Sequence, residues 1–414
     1  MKIALGVTGS IACYKAYDLV RNLVKKGHQV RVILTGGSLK FIKPDTFLYL
    51  GAEAIYQAGD DFNFPRENSG LSGSVLHIEL TKWADKLVIA PMSANKLAQF
   101  SSGMAEDLLT STFLAWPKEK PILIFPAMNT KMFQHPIVEN NFSNLSLLNN
   151  LLLAPTKVGE LACGDSGEGK LLDIDEIQCL IETWNLHSSS HKTLISAGAT
   201  VNSIDSVRFV TNASTGKTAI PFVEEYLKRG QKVCVVAGRY ATKALELYQH
   251  HPHYQIQRVA DTNSMAEAIL TEFSDSDLYI ATAAIGDFTF SPVNKKLKKN
   301  ALLMSLPIEP TQDILAEVLR VRKPHQKVIG FAAESTLEDA TLLEKFKRKP
   351  VDLLIATEVT SGLVNNGESP KGFGTDEANY RFILSESNLS SVELLTKCQM
   401  AFKATQFLNH GTAQ

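Results

Sequence analysis

The apolar run Lys2-Ile3-Ala4-Leu5 passes through Gly6-Val7-Thr8-Gly9-Ser10 into Ile11, Tyr14, Leu19, Leu23 and Val24, which recur at helical spacing. In order these read as a short buried strand, a glycine turn and an amphipathic helix. Gly27 closes the helix and Gln29–Leu34 resumes an extended run. Two further strand-like runs, Lys86–Ala90 ended by Pro91 and Ile122–Phe125 ended by Pro126, flank helical patterns at Ser93–Gln99 and Glu106–Ala115. Strands alternating with helices predict a parallel sheet covered on both faces.

The pattern lapses at Thr183–Lys192, the serine-rich TWNLHSSSHK, which reads as an interdomain linker. A second βα opening follows: a strand at Thr193–Ile195, a turn at Ser196–Thr200, a helix at Lys217–Lys228 stopped by Gly230, and a strand at Lys232–Val236. Leu278–Ala281, Lys327–Gly330 and Leu353–Ala356 are later apolar runs. The expected organisation is two α/β domains, 1–187 and 188–414, each long enough to bury its own core.

Composition removes several function classes. Lys+Arg 42 against Asp+Glu 43 gives a net charge of −1, so net electrostatics do not favour nucleic acid or acidic membrane. No run approaches the roughly 18 apolar residues of a membrane span, and the first residues do not read as a secretory signal. Five widely spaced cysteines without a C-x-x-C suit a reducing cytoplasm and offer neither a disulfide framework nor a zinc site.

A glycine turn between strand and helix suits a phosphate, because unpaired N–H groups face it and the backbone can approach closely. Gly6-Val7-Thr8-Gly9-Ser10-Ile11 is not G-x-G-x-x-G, so the dinucleotide fingerprint fails. Four other segments add weight: His77-Ile78-Glu79-Leu80, Pro91-Met92-Ser93-Ala94-Asn95, Pro126-Ala127-Met128-Asn129, and Ala162-Cys163-Gly164-Asp165-Ser166-Gly167. Together and in this order they resemble the flavin-dependent cysteine decarboxylases. Over nearly its whole length the chain resembles the bacterial bifunctional phosphopantothenoylcysteine decarboxylase/phosphopantothenate–cysteine ligases of coenzyme A biosynthesis.

That resemblance implies two Rossmann-like doubly wound domains: a flavodoxin-like flavoprotein domain, then a nucleotide-binding ligase domain. In the first, it places Gly9, Ser10 and Ile11 near the phosphate of FMN, and Thr35, Ser93 and Asn95 near the flavin or its ribityl chain. His77 is implied as a base or electrostatic partner, and Asn129 as a hydrogen-bond partner of the substrate carboxylate or amide. Cys163, in a glycine-rich segment, is implied as the proton donor in the final reduction. A thiol of ordinary pKa, about 8.5, is protonated at neutral pH and suits that task. The other four cysteines lie in helix or strand patterns and read as packing residues.

In the second half Ser214-Thr215-Gly216-Lys217-Thr218 invites a P-loop reading, but Thr211 stands where that motif needs glycine. The segment instead resembles the ligase signature, together with Ser196-Ala197-Gly198-Ala199-Thr200, Arg208, Asn212, Ala283-Ala284-Ile285-Gly286-Asp287, Lys296-Leu297-Lys298-Lys299, Gln312-Asp313-Ile314-Leu315, Gly330-Phe331 and Gly372-Phe373-Gly374. The resemblance implies activation of 4′-phosphopantothenate as an acyl-cytidylate by CTP with Mg²⁺, then attack by the amine of cysteine. Nucleotide contacts are implied for Ala283, Asp287, Lys296, Gln312, Asp313, Ile314, Leu315, Phe331, Lys345 and Lys349. Asn212 would hold the intermediate, Arg208 would be its anionic group's partner, and no metal ligands are assigned.

The two halves depart from the family unequally. Ala199, Val201, Asn202, Ser203 and Ser206 replace prolines and a charged pair usual in the first ligase loop, and Thr357-Glu358 stands where Asn-Asp is common. Two other readings therefore stand beside the bifunctional enzyme: a decarboxylase with an impaired ligase half, and a flavin-binding regulatory scaffold. The resemblance also implies a homo-oligomer, with trimeric flavin domains and dimeric ligase domains.

Overall fold

β1 (Lys2–Val7) lies at the centre of the first sheet, with β2 (Gln29–Leu34), β3 (Ala54–Gln57), β4 (Lys86–Met92), β5 (Ile122–Pro126) and β6 (Leu151–Leu153) around it. The computed structural model describes residues 1–63, 75–160, 164, 166–291, 294–297, 308–359, 372 and 375–410. All pairs in this six-stranded sheet are parallel, in the order β3-β2-β1-β4-β5-β6. Without the short edge strand β3 the remaining five read in the flavodoxin order; with it they read in the dinucleotide-fold order. One core cluster packs the helices Ala16–Lys25 and Ile174–Thr183 on one face, and a second packs Leu76–Trp83, Ala94–Ser101, Leu108–Leu114 and Pro136–Leu145 on the other. Strands β4 and β5 are buried along their whole length, as strands covered on both faces must be.

Several boundaries differ from the sequence reading, most strands running further than expected: β5 includes Pro126, and the strands at Lys192–Ala197, Lys232–Gly238, Lys327–Glu334 and Leu353–Glu358 all outrun their apolar runs. β1 runs through Gly6 to Val7, with Gly6 paired to Ile33 and Ile89. The glycine serves packing there: a Cβ on Gly6 would sit 2.6 Å from a Leu109 methyl. β4 continues through Pro91, whose peptide bond is cis, to Met92. The first helical segment also begins as a 3₁₀ turn, Ile11–Lys15, before the α-helix Ala16–Lys25.

The chain divides into two compact units, Met1–Leu186 and His187–Gln414. In the second, β7 (Lys192–Ala197), β8 (Lys232–Gly238), β9 (Tyr254–Val259), β10 (Leu278–Ala281), β11 (Lys327–Glu334) and β12 (Leu353–Glu358) form a parallel array in the order β9-β8-β7-β10-β11-β12. This repeats the order of the first sheet. β13 (Glu377–Ser385) then pairs antiparallel with β12 and extends the sheet. The helices Thr262–Phe273, Ile314–Val321 and Asp339–Arg348 bury their apolar sides in one cluster with Tyr279, Val328, Ala332, Leu354 and Ala356. Alternate strand residues face the other way, where Phe331 meets Phe222 of the helix Ala219–Lys228. Among the described residues no helix is long and apolar enough to cross a membrane.

Candidate active sites of the two units

In an open parallel sheet the place for a ligand is the crevice at the strand C-termini where the order reverses. In the N-terminal unit that point lies between β1 and β4, and Thr8 ties it together. The fully buried hydroxyl of Thr8 donates to the carbonyl of Pro91 at 2.8 Å and accepts from the N–H of Ser93 at 2.7 Å. Beside it Gly9 passes so close to Gly37 that a Cβ would lie 2.9 Å from the Gly37 Cα. Thr8 and Gly37 were not singled out from the sequence. A lone threonine inside a turn carries no periodic signal.

Two clefts open around this clamp. The larger, about 840 Å³, is lined by Gly9, Ser10, Ile11, Ser93, Asn95 and Asn129, and also by Tyr14, Met128 and Met132. The second, about 520 Å³, shares Gly9, Ser93 and Asn95 and adds Thr35, Gly36, Gly37 and Lys96. Three of these residues begin helical segments: Ser10 accepts from the N–H of Ala12 at 3.4 Å, Ser93 from Lys96 at 3.4 Å, and Asn129 from Lys131 at 2.9 Å. The first two N-termini open towards the clefts and favour an anion. The side chains of Ile11, Tyr14 and Met132 are about half exposed there and offer an apolar surface to a flat ring. Lys96 is buried and paired to Asp107 at 2.6 Å, so its charge is already partnered.

His77 stands apart from both clefts. It sits in the first turn of Leu76–Trp83, where Asp61 accepts from its main-chain N–H at 3.1 Å and from Nδ1 at 2.7 Å. That pairing directs the ring and leaves Nε2 without a partner among the described residues. Cys163, with Ala162 and Asp165 of its motif, lies outside the described residues. Cys13, Cys179 and Cys234 are buried. Burial pushes the Cys13 thiol up to about 11 and the Cys234 thiol up to about 12, so neither is a ready nucleophile or proton donor.

In the C-terminal unit main chain and hydroxyls together join the corresponding strand ends: the Thr282 hydroxyl donates to the Ser196 carbonyl at 2.6 Å, and the Gly286 N–H donates to the Thr200 hydroxyl at 3.0 Å. Ala199 bridges Ala284, and the Ala284 N–H donates to the Gly198 carbonyl at 2.8 Å. Asn212 is fastened to the same point, its Nδ2 donating to the carbonyls of Ala284 and Ile285 at 3.2 Å each. Arg208 pairs with the buried carboxylate of Asp205 and donates to the Leu297 carbonyl at 2.9 Å, which sets the neighbouring, exposed Lys296 beside the same loop. The guanidinium holds the Asp205 carboxyl well below the usual carboxylate range.

The expected nucleotide residues separate onto the two faces of this sheet. On one face Lys345 pairs with Glu334, within electrostatic reach of Asp287, and Lys349 pairs with Asp313 at 2.5 Å. Burial, helped by Arg348 and Lys349, lowers the pKa of Lys345. Asp313 also caps the helix Ile314–Val321 through the N–H of Ala316 at 3.1 Å, with Gln312 exposed and Ile314 buried beside it. On the other face a cavity of about 170 Å³ takes Ala283 and Phe331 together with Ser214, Thr357 and Lys397. Lys298, Lys299, Phe373 and Gly374 lie outside the described residues. Among the described residues no cluster of three or more acidic, histidine or cysteine side chains is placed to hold a metal ion.

Comparison with known proteins finds a family match for each half of the chain. Residues 1–186 match the flavoprotein family, and residues 188–410 match the DNA/pantothenate metabolism flavoprotein C-terminal domain. The coenzyme A biosynthesis bifunctional protein CoaBC of Bacillus subtilis (strain 168) is 33% identical, over 98% of this chain and 95% of its own length. That of Escherichia coli (strain K12) is 31% identical, over 91% of this chain and 88% of its own. The solved structure of the FMN binding protein AtHal3 is 34% identical over 44% of this chain and 94% of its own, with a TM-score of 0.38. The chain belongs to the family of bifunctional coenzyme A biosynthesis enzymes that join a phosphopantothenoylcysteine decarboxylase to a phosphopantothenate–cysteine ligase.

Proposed function

We propose that the C-terminal unit joins cysteine to 4′-phosphopantothenate at the expense of CTP with Mg²⁺, and that the N-terminal unit decarboxylates the product to 4′-phosphopantetheine with FMN. The observation that carries the reading is the convergence of Gly9, Ser10, Ile11, Thr35, Ser93, Asn95 and Asn129 on two adjoining clefts at the switch point of the first sheet. A phosphorylated flat ring fits this place: helix starts meet a phosphate, the Gly9–Gly37 approach leaves room that a Cβ would fill, and Ile11, Tyr14 and Met132 supply apolar contact.

An N-acyl cysteine resists decarboxylation because its carbanion has no electron sink, and bound FMN supplies one by taking two electrons from the thiol-bearing carbon and later returning them. The chain's own residues do the rest. Asn129 orients the substrate carboxylate, His77 presents Nε2 with Asp61 behind it, and Cys163 gives its proton to the carbon that was left unsaturated. A second copy would complete the site, as the family's trimeric flavin domains imply.

On the ligase side the requirement is charge neutralisation on a triphosphate and an oriented carboxylate. Lys296, Lys345 and Lys349 supply positive charge, and Asn212 and Arg208 hold the acyl group. Mg²⁺ commonly takes one or two carboxylates plus phosphate oxygens, so it needs no dedicated cage here. Incubation of the purified chain with FMN, phosphopantothenate, cysteine and CTP, read by mass, tests the whole. Pyrophosphate release with accumulation of 4′-phosphopantetheine is expected; carbon dioxide release without ligation would leave a decarboxylase with an impaired ligase half.

A further inference from the structure

The larger cleft of the N-terminal unit, at about 840 Å³, stands near the upper end of the ~300–1,000 Å³ usual for one small-molecule site, so it has room for more than a flat ring. Besides the residues already placed, its lining holds two lysines, Lys15 and Lys170. We propose that Lys15 and Lys170 form a subsite for the terminal phosphate of the decarboxylase substrate, at the end of that molecule away from the reacting cysteine; the proposal rests on the decarboxylase reading above.

Both side chains are half-buried, and neither ammonium has a hydrogen-bond or ion-pair partner among the described residues. The nearby acids are committed elsewhere. Lys157 takes both Asp173, at 2.5 Å, and Glu176, at 2.7 Å. Lys157 and Lys170 stand directly opposite one another on the antiparallel strands Lys157–Glu160 and Ser166–Lys170, where like charges repel. The Asp173 carboxyl is held below its usual range chiefly by Lys157, with Lys15 and Lys170 adding to the field, so the three ammonium groups share one neighbourhood. Glu160, exposed in the same lining, pairs with neither Lys15 nor Lys170 among the described residues. A phosphate monoester, close to dianionic at neutral pH, relieves that repulsion with charge-assisted hydrogen bonds.

The fold ties Lys170 to the part of the cleft given to the substrate. The Gly169 carbonyl accepts from the Met128 N–H at 3.0 Å, and the Thr130 hydroxyl donates to the Glu168 carbonyl at 2.7 Å. A Cβ on Gly169 would meet the Met128 carbonyl oxygen at 2.2 Å, so this strand lies flush against the turn that carries Asn129. The stem of Lys170 then crosses Gly159, where a Cβ would stand 3.5 Å from its Nζ. Lys15 comes from another element, as the last residue of the 3₁₀ turn Ile11–Lys15. FMN carries a phosphate too, but the helix starts at Ser10 and Ser93 already suit it, and Lys170 belongs with Asn129 instead. Decarboxylation leaves the substrate's phosphate untouched, so its contribution is binding: energy gained at the far end holds the cysteine end in place.

The test uses the full chain loaded with FMN and compares 4′-phosphopantothenoylcysteine with pantothenoylcysteine, its dephosphorylated form, by release of carbon dioxide. The unaltered chain should prefer the phosphorylated compound in kcat/KM. Lys15→Met and Lys170→Met should each cut that preference about tenfold to a hundredfold, the usual range for losing a hydrogen bond to a charged group, and Lys170→Arg should keep most of it. The lysines are replaced singly, so if one variant fails to fold the other decides. Titration of the full chain, freed of flavin, with FMN and with riboflavin gives a second readout, in which both variants should match the unaltered chain. Equal use of the two cysteine compounds by the unaltered chain, or a preference that survives both replacements, overturns the proposal. Weaker binding of FMN but not of riboflavin by the variants gives the lysines to the flavin's phosphate and overturns it too. Failure of the unaltered chain to release carbon dioxide from either compound sinks the decarboxylase reading itself, and this subsite with it.

Discussion

In the N-terminal unit one hydroxyl, that of Thr8, ties β1 to β4, and the helix starts around it are left facing a cleft. In the C-terminal unit main chain and the hydroxyls of Ser196, Thr200 and Thr282 together join the ends of the strands Lys192–Ala197 and Leu278–Ala281, and the charges expected to meet a triphosphate already hold carboxylates, Lys345 with Glu334 and Lys349 with Asp313. The strand order is the same, but the preparation differs. The first site is built from backbone and short side chains that have little freedom to move. The second is built from long side chains already paired with carboxylates, which must exchange partners to take an anionic ligand.

The sharpest way to separate the two is Cys163→Ser. It should leave the chain able to bind FMN and to ligate, while 4′-phosphopantetheine formation falls by about 10²–10⁴-fold, the contribution usual for a proton donor. Normal product yield, measured by mass, would end the assignment. Next in size, Lys345→Met should raise the KM for CTP by roughly 10- to 100-fold, as expected for one charge-assisted contact, with FMN affinity untouched. An unchanged KM would show that the Glu334 pairing is structural only.

A smaller effect is expected at the clamp. Thr8→Val removes a buried donor and acceptor together; the Pro91 carbonyl keeps the Thr8 main-chain N–H at 3.3 Å, but the Ser93 N–H is left unmatched, a loss of about 1–2 kcal/mol. Urea unfolding should show it, along with weaker FMN binding and an unaltered ligase. Smallest is the pH response of the first ligase loop. The Asp205 carboxyl is held low by Arg208 when folded, so the pair contributes fully above the unfolded carboxylate value of about 4 and is lost as pH falls further. Arg208→Met should shift the acid unfolding midpoint upwards by about half a pH unit; a midpoint that stays put would mean the backbone bonds to Asp205 suffice alone.

Much of the first site was legible because its chemistry is local. Gly9, Ser10 and Ile11 follow a strand directly, and Ser93 and Asn129 each stand at a strand-to-helix junction that proline and alternating pattern reveal. His77 was legible as a residue but not as a position: its partner Asp61 is sixteen residues back, and nothing in the pattern between them announces the pairing. Three strand ends were misjudged for a common reason. Glycine and proline punctuate loops on average, yet Gly6 stays in β1 because a leucine packs where its side chain would be, Pro91 stays in β4 and Pro126 stays in β5.

By itself the amino-acid sequence determined the alternation of strand and helix, the two-part organisation and the family, because these depend on periodic burial and on short motifs read along the chain. Only the tertiary structure decided that Thr8 is the tie between strand ends, that Phe331 and Lys345 stand on opposite faces of one sheet, and that Lys397 is buried in a cavity with Thr357. Such facts depend on which residues far apart in the chain become neighbours, and a sheet with period-two side chains assigns each residue to a face only once its register is set.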